Sequence, residues 1–511
     1  MAGSDPARTI PHEMKGVPVL VAVAIVAAPG AAGHDRLPAA ARLVDARACG
    51  ASPVALGAVV AITPNGDGVR DCAALRIRLE RPSRVELVVL QRKPRPGVVH
   101  VERVTAPAGL ATLVWWPSAG TAARTYPTRI VVKTDGAPAF FAGPVLRVRG
   151  LAARFERESY GPGAVARLRV EGGRASSLEI VDAATGVSVR SARAVAGSVL
   201  GVRVGAWRPG VYAARFDDGG TVVQAPLVVR ASARFRPRVA VVLPTSTWQA
   251  YNLTDADGDG TGDTWYASRR RESARLDRPF MGDGMPPFFH RYDLPFLRWL
   301  RASGHDADFL GDDDLDRVGD AATLLRRYDL LVFPGHHEYV TLHERDLVEQ
   351  YRDGGGNLAF LSADAFHWRV ERRGAVLRRK EQWRSLGHPR PESAVVGVQY
   401  RASDDGTHRA AYVVRSTRCT PWLFRGTGLE RGSRFGWSGV EISATTVDSP
   451  AGTCVVAEIP NLLGAGRTAQ MTYYETRRGA KVFAAGAFCL ANRSATVATL
   501  LDNLWTRLAR P

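Results

Sequence analysis

The stretch YDLLVFPGHHEYVT, residues 328–341, places an apolar run directly before two histidines and a glutamate. Residues 330–333 are all apolar, which is typical of a strand buried on both faces of a parallel sheet. Active sites in such sheets lie at the carboxyl ends of the strands. His336 and Glu338 therefore stand where catalytic or metal-binding side chains are expected.

The neighbouring segments predict strands that alternate with helices. RVAVVLP (238–244) and NLAFLS (357–362) have the composition of buried strands, whereas DLPFLRWLRASG (293–304) and LHERDLVEQYRDGGG (342–356) have the spacing of helices ended by glycine. Such alternation predicts a parallel sheet covered on both faces. We expect residues 236–511 to form a doubly wound, glutamine-amidotransferase-like (flavodoxin-like) α/β domain with β-rich additions toward its C-terminal end.

Residues 34–150 and 151–235 instead carry short alternating strands separated by Gly, Pro and Asp turns. This spacing predicts two all-β, Ig-like sandwiches before the α/β domain. The first contains ITPNGDGVRDCAALRIRL, residues 62–79, which resembles the Ig-like module of flagellar hook-capping proteins.

The N-terminal segment predicts export. Met14-Lys15 precedes the apolar run GVPVLVAVAIVAAPGAAG, so residues 1–33 are interpreted as a signal peptide, with Met1 and Met14 both open as its start. The run is too short for a comfortable membrane span. We expect a secreted or cell-surface bacterial protein without an integral membrane span.

Five cysteines are present, and none forms a CxxC pair that would indicate a zinc ribbon. In an exported protein, Cys49–Cys72 and Cys419–Cys454 are the expected disulfides, which leaves Cys489 as a buried thiol. The sequence alone does not fix this pairing.

The chain carries 68 Lys+Arg against 50 Asp+Glu, a net charge of +18. Such a balance permits binding to anionic surfaces or nucleic acid. The basic residues are scattered, however, and no dense basic block or aromatic-basic stripe occurs. We therefore interpret the net positive charge as basic residues spread over a solvent-exposed surface. On this interpretation we expect no nucleic-acid partner.

Missing motif residues argue against two enzyme classes. A zincin requires H-E-x-x-H on a helix, but Thr341 stands where the second histidine would be needed. A glutamine-amidotransferase nucleophile would lie in a Gly-x-Cys-x-Gly or Gly-x-Ser-x-Gly elbow, and no strand end carries one, so a covalent Cys or Ser mechanism is disfavoured.

Four segments in order carry a resemblance that covers residues 236–511. They are TSTWQAYNLTDADGDGTGDTWYASRR (245–270), RPFMGDGMPPFFHRYDLPFLRWL (278–300), YDLLVFPGHHEYVT (328–341) and GGNLAFLSADAFHWRV (355–370). Together they resemble the catalytic domain of the N,N-dimethylformamidase large-subunit family. The resemblance implies an iron-dependent hydrolase of C–N amide bonds.

That family implies a mononuclear Fe(III) site with two tyrosinates and one glutamate, which fall here on Tyr251, Tyr292 and Glu338. His336 matches a histidine implicated in catalysis. Asp364 stands where the family has asparagine, which puts activity and substrate choice in question. Ferric iron is a hard acid that suits phenolate and carboxylate oxygens, and it polarises a carbonyl or activates water.

A calcium site is a separate hypothesis. Positions 1, 3, 5 and 9 of a calcium loop are matched by Asp255, Asp257, Asp259 and Asp263. Position 12 lacks its acid, because Tyr266 stands there. A Ca²⁺ site and an Asp-rich turn both remain open.

We thus expect an iron-dependent amide hydrolase that acts on a small amide or a surface substrate, with catalytic residues His336, Glu338 and Asp364. A separate small subunit and a homo-oligomer are compatible with the sequence. The alternative is a non-catalytic secreted surface or carbohydrate-binding protein whose hydrolase-like domain is degenerate.

Overall fold

The fold is that of a computed structural model, which describes residues 41–509 except 56–58, 65–69, 92–95, 119–120, 122–123, 136–137, 172–176, 193–198, 218–221, 256–261, 269, 405 and 492–493. The predicted signal peptide, most of the PNGDG turn, and Asp257 and Asp259 of the calcium hypothesis lie outside the described residues.

The first β module packs three sheets around one apolar core. Its strands are β1 (Ala41–Ala48), β2 (Val60–Ile62), β3 (Ala73–Leu79), β4 (Ser83–Gln91), β5 (Gly97–Ala106), β6 (Gly109–Trp115), β7 (Thr125–Tyr126), β8 (Thr128–Lys133), β9 (Ala139–Ala142) and β10 (Leu146–Val148). The sheet orders are β1-β3-β6, β2-β10-β7 and β5-β4-β8-β9. Alternate residues of β3, such as Leu75 and Ile77, point inward, as the two-residue period of a strand requires.

The second β module has two sheets and its own core. Its strands are β11 (Ala152–Phe155), β12 (Ser159–Tyr160), β13 (Val165–Glu171), β14 (Ser177–Asp182), β15 (Ser188–Ala192), β16 (Val199–Arg203), β17 (Gly210–Asp217) and β18 (Val222–Val229). They pair as β11-β13-β16 and β12-β18-β17-β14-β15. The prediction of an all-β N-terminal region is confirmed.

The remaining chain mixes strands and helices. In order they are β19 (Val239–Leu243), α1 (Thr245–Tyr251), β20 (Ser273–Arg275), α2 (Phe289–Tyr292), α3 (Leu294–Ser303), β21 (Asp308–Gly311), α4 (Asp312–Asp316), α5 (Ala321–Arg327), β22 (Leu330–Phe333), β23 (Tyr339–Thr341), α6 (Leu342–Asp353), β24 (Asn357–Phe360), β25 (Trp368–Arg373), β26 (Val376–Gln382), α7 (Ser393–Val396), β27 (Gln399–Ser403), β28 (Arg409–Val414), β29 (Arg434–Ala444), β30 (Cys454–Ile459), β31 (Ala469–Glu475), β32 (Lys481–Ala484), β33 (Ala487–Phe488) and α8 (Ala495–Leu508).

The main sheet of this region is parallel in one half and antiparallel in the other. The parallel strands lie in the order β21-β19-β22-β24-β32. Numbered along the chain, this is the 2-1-3-4-5 order of flavodoxin-like sheets. The antiparallel strands β31-β30-β28-β29-β27 continue the sheet, and β20-β26-β25-β23 form a separate small sheet. The closer assignment to the glutamine-amidotransferase-like type stays a prediction.

Side chains of the parallel strands contribute to two hydrophobic cores, one on each face of the sheet. In β19, Val239, Val241 and Leu243 join the core that contains α3 and α8, whereas Ala240 and Val242 join the core that contains α5 and α6. Because both faces are covered, the strands read as continuous apolar runs in the sequence. Because β19, β22 and β24 are parallel neighbours, their carboxyl ends lie at the same edge of the sheet.

Two disulfides join the expected cysteines. Cys49 pairs with Cys72 and Cys419 with Cys454, with Cα–Cα separations of 5.2 and 6.7 Å. Cys489 is a free, half-buried thiol. Among the helices that the structure describes, none combines the length and the apolar character that crossing a bilayer would require.

Candidate active site around Glu338

Three chain segments that leave the parallel strands bring the site residues together. Tyr251 is the last residue of α1, which follows β19, and Glu338 follows β22. Asp364 follows β24, in a turn where its backbone takes a positive φ of 51°. The turn is tied to the Glu338 segment, because the Trp368 amide donates to the Glu338 carbonyl at 2.9 Å.

The carboxylate of Glu338 is the centre of the polar contacts. Its Oε2 accepts hydrogen bonds from the hydroxyls of Tyr251 and Tyr266, each at 2.9 Å. The same oxygen lies 3.4 Å from Nε2 of His336. Glu338 is only 4% exposed, so these contacts take place out of bulk water.

Tyr266 is a site residue that the sequence interpretation did not assign. Its ring stacks on Tyr251 with centroids 4.1 Å apart, and its hydroxyl also contacts the hydroxyl of Tyr339. Trp265 supports this arrangement by donating its indole N–H to the Tyr339 hydroxyl at 3.0 Å. The adjacent aromatic pair Trp265-Tyr266 after the Asp-rich segment is the signal that could have indicated it.

Three carboxylates face the Nε2 atom of His336. Besides Glu338, Asp364 Oδ2 lies 3.4 Å away and Glu441 Oε2 lies 3.5 Å away. Glu441 comes from the antiparallel strand β29, far from the parallel strand ends in sequence. In the sequence, Glu441 is marked only by being the one acidic residue among the small and apolar residues of SGVEISA.

Asp364 is held on its other side by a second histidine. Its Oδ1 lies 2.8 Å from Nδ1 of His367, and its backbone N–H donates to the Ser443 hydroxyl at 3.1 Å. The His367 ring in turn stacks on Tyr400 with centroids 5.0 Å apart. His367 therefore belongs to the site and is not simply a packed core residue.

Tyr292, the second predicted tyrosine ligand, packs in an aromatic cluster beside the site. Its ring packs against Phe488 and Phe288 with centroids 4.8 and 5.4 Å away, and Phe488 also packs against the His336 ring at 4.7 Å. Within the described residues, no hydrogen bond joins its hydroxyl to Tyr251 or Glu338.

The second histidine of residues 328–341 and the described aspartates of the calcium hypothesis lie outside the contact set of Glu338. His337 points away from Glu338, with its ring 4.9 Å from Phe333 and its Nε2 3.3 Å from Asp312. Asp255 accepts a hydrogen bond from Thr125 of the first β module, and Asp263 pairs with Arg271 at 2.9 Å.

Burial and mutual repulsion shift the pKa values of the cluster. Burial, and next the charge of Glu338, raise the pKa of Tyr251 well above its usual value. Burial and the nearby Asp364 also raise the pKa of Glu338. Burial of His336 lowers its pKa, but the facing carboxylates, led by Glu441, outweigh this and raise it to about 9. The site thus concentrates buried acidic groups that favour either protons or a cation.

Fold and cluster together define an α/β protein with a buried phenol, carboxylate and imidazole site at the carboxyl edge of its sheet. Residues 200–493 match the family described as N,N-dimethylformamidase beta subunit-like, C-terminal. The match covers more than half of the chain, so the chain belongs to this family, and the resemblance inferred from the four motifs is confirmed.

Two relatives are N,N-dimethylformamidase beta subunits. The protein from Alcaligenes sp is 36% identical over 124 residues, and that from Paracoccus aminophilus is 35% identical over 123 residues. Each match covers 24% of this chain and 16% of the relative. The chain therefore aligns with a small part of each relative's length.

Solved structures of immunoglobulin-domain tandems also match, at low similarity. The titin I9–I11 tandem is 10% identical, with a TM-score of 0.22, and the match covers 40% of this chain and 72% of that one. The four N-terminal Ig domains of Dscam1 isoform 7.44 are 14% identical, with a TM-score of 0.15, and the match covers 34% and 43%.

Proposed function

We propose that this chain hydrolyses C–N amide bonds and that the cluster around Glu338 is its active site. Family membership indicates an amide hydrolase. The observation that carries the proposal is the contact set of Glu338, whose buried carboxylate meets two phenols and one imidazole at the carboxyl edge of the sheet.

A metal ion is part of the proposal, and the donor chemistry of the site supports one. The hydroxyl of Tyr251 and the carboxylate of Glu338 are hard oxygen donors 2.9 Å apart, as adjacent ligands of Fe(III) would be. The contacts of Tyr292 do not add a third ligand to this pair, so its role stays a prediction. A bound ion would polarise the amide carbonyl and lower the pKa of water.

The residues of the chain supply proton transfer. Amide hydrolysis consumes a water and must deliver a proton to the leaving amine. His336 Nε2 and Glu441 Oε2 lie 3.5 Å apart beside the cluster, and the pKa of each group is raised above its usual value. Burial is the largest cause for Glu441. The two groups together are suited to hold a proton and donate it to the departing nitrogen.

Aromatic side chains limit what can reach the cluster. The ring of Phe288 packs against Tyr251, the ring of Phe488 packs against His336, and Tyr292 packs against both phenylalanines. Such walls favour a small or narrow amide and keep bulk water from the reacting groups.

The relatives are named beta subunits, so we also propose that a separate subunit accompanies this chain. Export to the cell surface remains part of the proposal.

The test is a panel of short primary, secondary and tertiary amides with the purified full chain, with amine release as the readout. We expect Glu338→Gln to abolish turnover, because this isosteric change removes the central charge. Glu430→Gln, at an exposed position, is the matched control. Turnover that persists in Glu338→Gln would contradict the assignment.

The second candidate is a secreted surface or carbohydrate-binding protein with a degenerate hydrolase-like domain. Asp364 in place of the family's asparagine favours it. No turnover of any amide, together with metal-free purified protein, would support this candidate over the hydrolase.

A further inference from the structure

A cavity of about 270 Å³ lies between the second β module and the α/β domain. On one side it is lined by residues 153–158 and by side chains of β18. On the other side it is lined by α1 and by the segments around Arg278 and Gly374. Among the residues that the structure describes, those in contact with Glu338 do not line this cavity, so it is separate from the candidate active site.

Part of the cavity wall is apolar and aromatic. Phe155, Trp248 and Phe280 contribute rings, and Val228 and Leu276 contribute aliphatic surface. Apolar surface of this kind gains free energy when an apolar group of a ligand displaces water from it. The wall therefore suits a ligand with an apolar or aromatic body.

The four carboxylates that line the cavity are already paired with arginines. The pairs are Glu156 with Arg169, Glu158 and Asp313 with Arg372, and Asp277 with Arg275. Because a neighbouring guanidinium compensates each carboxylate, the acids do not make the cavity attractive to a cation.

Other arginines of the wall lack a carboxylate partner. Arg278 is only 2% exposed, and its guanidinium donates to four backbone carbonyls. Within the described part of the chain, no carboxylate forms an ion pair with Arg278, nor with Arg154 or Arg157, which also line the cavity. A buried charge without an oppositely charged partner is costly, so the wall favours an anion.

We propose that this cavity binds a small organic carboxylate with an apolar or aromatic body. The rings of Phe155, Trp248 and Phe280 contact the body. Arg154 donates hydrogen bonds to the carboxylate, since the planar fork of a guanidinium matches its two oxygens, and the buried charge of Arg278 adds electrostatic attraction. The inference goes beyond amide hydrolysis, because it uses no residue of the Glu338 cluster.

The experiment is isothermal titration calorimetry of the full chain with benzoate, and with benzyl alcohol as its neutral counterpart. We expect one benzoate per chain, bound at least about tenfold more tightly than benzyl alcohol. Arg154→Gln should weaken benzoate binding about tenfold or more, the usual contribution of a hydrogen bond between charged groups. Arg190→Gln, at an exposed position of β15, is the matched control and should bind as the wild type does.

Two further variants separate this cavity from the active site. Ala375→Phe places a ring in the cavity without changing its charge, so it should abolish benzoate binding. Glu338→Gln should bind benzoate as the wild type does. Circular dichroism checks that each variant is folded.

The inference would be overturned if the chain did not bind benzoate, or if Arg154→Gln or Ala375→Phe bound it as the wild type does. Inorganic phosphate bound as tightly as benzoate would also overturn it, because the apolar wall would then have no role. The readout does not depend on catalysis. A chain that binds benzoate in this cavity but turns over no amide would support the site and overturn the proposed function.

Discussion

The carboxylate of Glu158, in the second β module, accepts a hydrogen bond from the hydroxyl of Thr245 at 2.5 Å. Thr245 is the first residue of α1, the helix that ends at Tyr251. The same Glu158 oxygen accepts the Asp313 amide at 3.2 Å, and its other oxygen pairs with Arg372. One side chain thus connects a β module to three elements of the domain that holds the site.

Glu158→Gln is expected to destabilise the full chain by about 1–3 kcal/mol, the usual cost of leaving buried polar partners unsatisfied. The measurement is the free energy of unfolding in urea. Glu156→Gln is the matched control, because Glu156 pairs with Arg167 and Arg169 of its own module at 3.0 and 2.8 Å, near the surface. We expect the control to change stability by less than about 1 kcal/mol. Equal losses in both variants would contradict the connecting role.

Tyr266→Phe is expected to lower kcat/KM for amide turnover roughly tenfold or more. The change removes one of the two phenol hydrogen bonds to Glu338, and a hydrogen bond to a charged group contributes about 1.5–3 kcal/mol. The control is Tyr160→Phe, whose hydroxyl accepts the Arg157 amide within the second β module. Wild-type turnover in Tyr266→Phe would show that this hydroxyl does not position Glu338.

Glu349 supports the turn that carries Asp364 through a buried arginine. Arg345, which is fully buried, donates to Glu349 at 2.6 Å and lies over the rings of Phe366 and Trp383. Burial of Glu349 raises its pKa, but Arg345 and Arg390 outweigh burial and lower the pKa below its usual value.

Because the pKa of Glu349 is lower in the folded state, its stabilisation is present above the unfolded pKa of about 4.3 and is lost as pH falls through the folded pKa. Glu349→Gln should therefore cost about 3 kcal/mol at pH 7, since it leaves the buried charge of Arg345 without its main partner. Urea unfolding at pH 7, 5, 4 and 3 should show the gap to wild type closing below pH 4. A gap that does not change with pH would refute this explanation.

Replacing Cys419 and Cys454 together by serine is expected to cost about 4 kcal/mol, because the disulfide closes a loop with a sequence separation of 35. Thermal unfolding under non-reducing conditions measures the effect. Replacing the Cys49–Cys72 pair, with a separation of 23, should cost slightly less and act on the first β module. No loss in either double variant would mean that the disulfides do not constrain the unfolded chain.

Much of the secondary structure followed from local pattern. The run before His336 predicted β22, and the leucines of residues 293–304 predicted α3, which ends at Ser303 and is followed by Gly304 with a φ of 75°. These elements were predictable because burial on both faces of a sheet, and on one face of a helix, imposes periods that depend only on nearby residues.

The sequence by itself determined the family, the alternation of strands with helices and the position of Glu338 at a strand end. Only the tertiary structure decided which side chains surround that carboxylate. Tyr266 and Glu441 come from an irregular segment and an antiparallel strand, where no period marks them, while the ring of Tyr292 packs against Phe488. Contacts between groups distant along the chain depend on how the helices and strands pack against each other, and the local sequence pattern does not specify that packing.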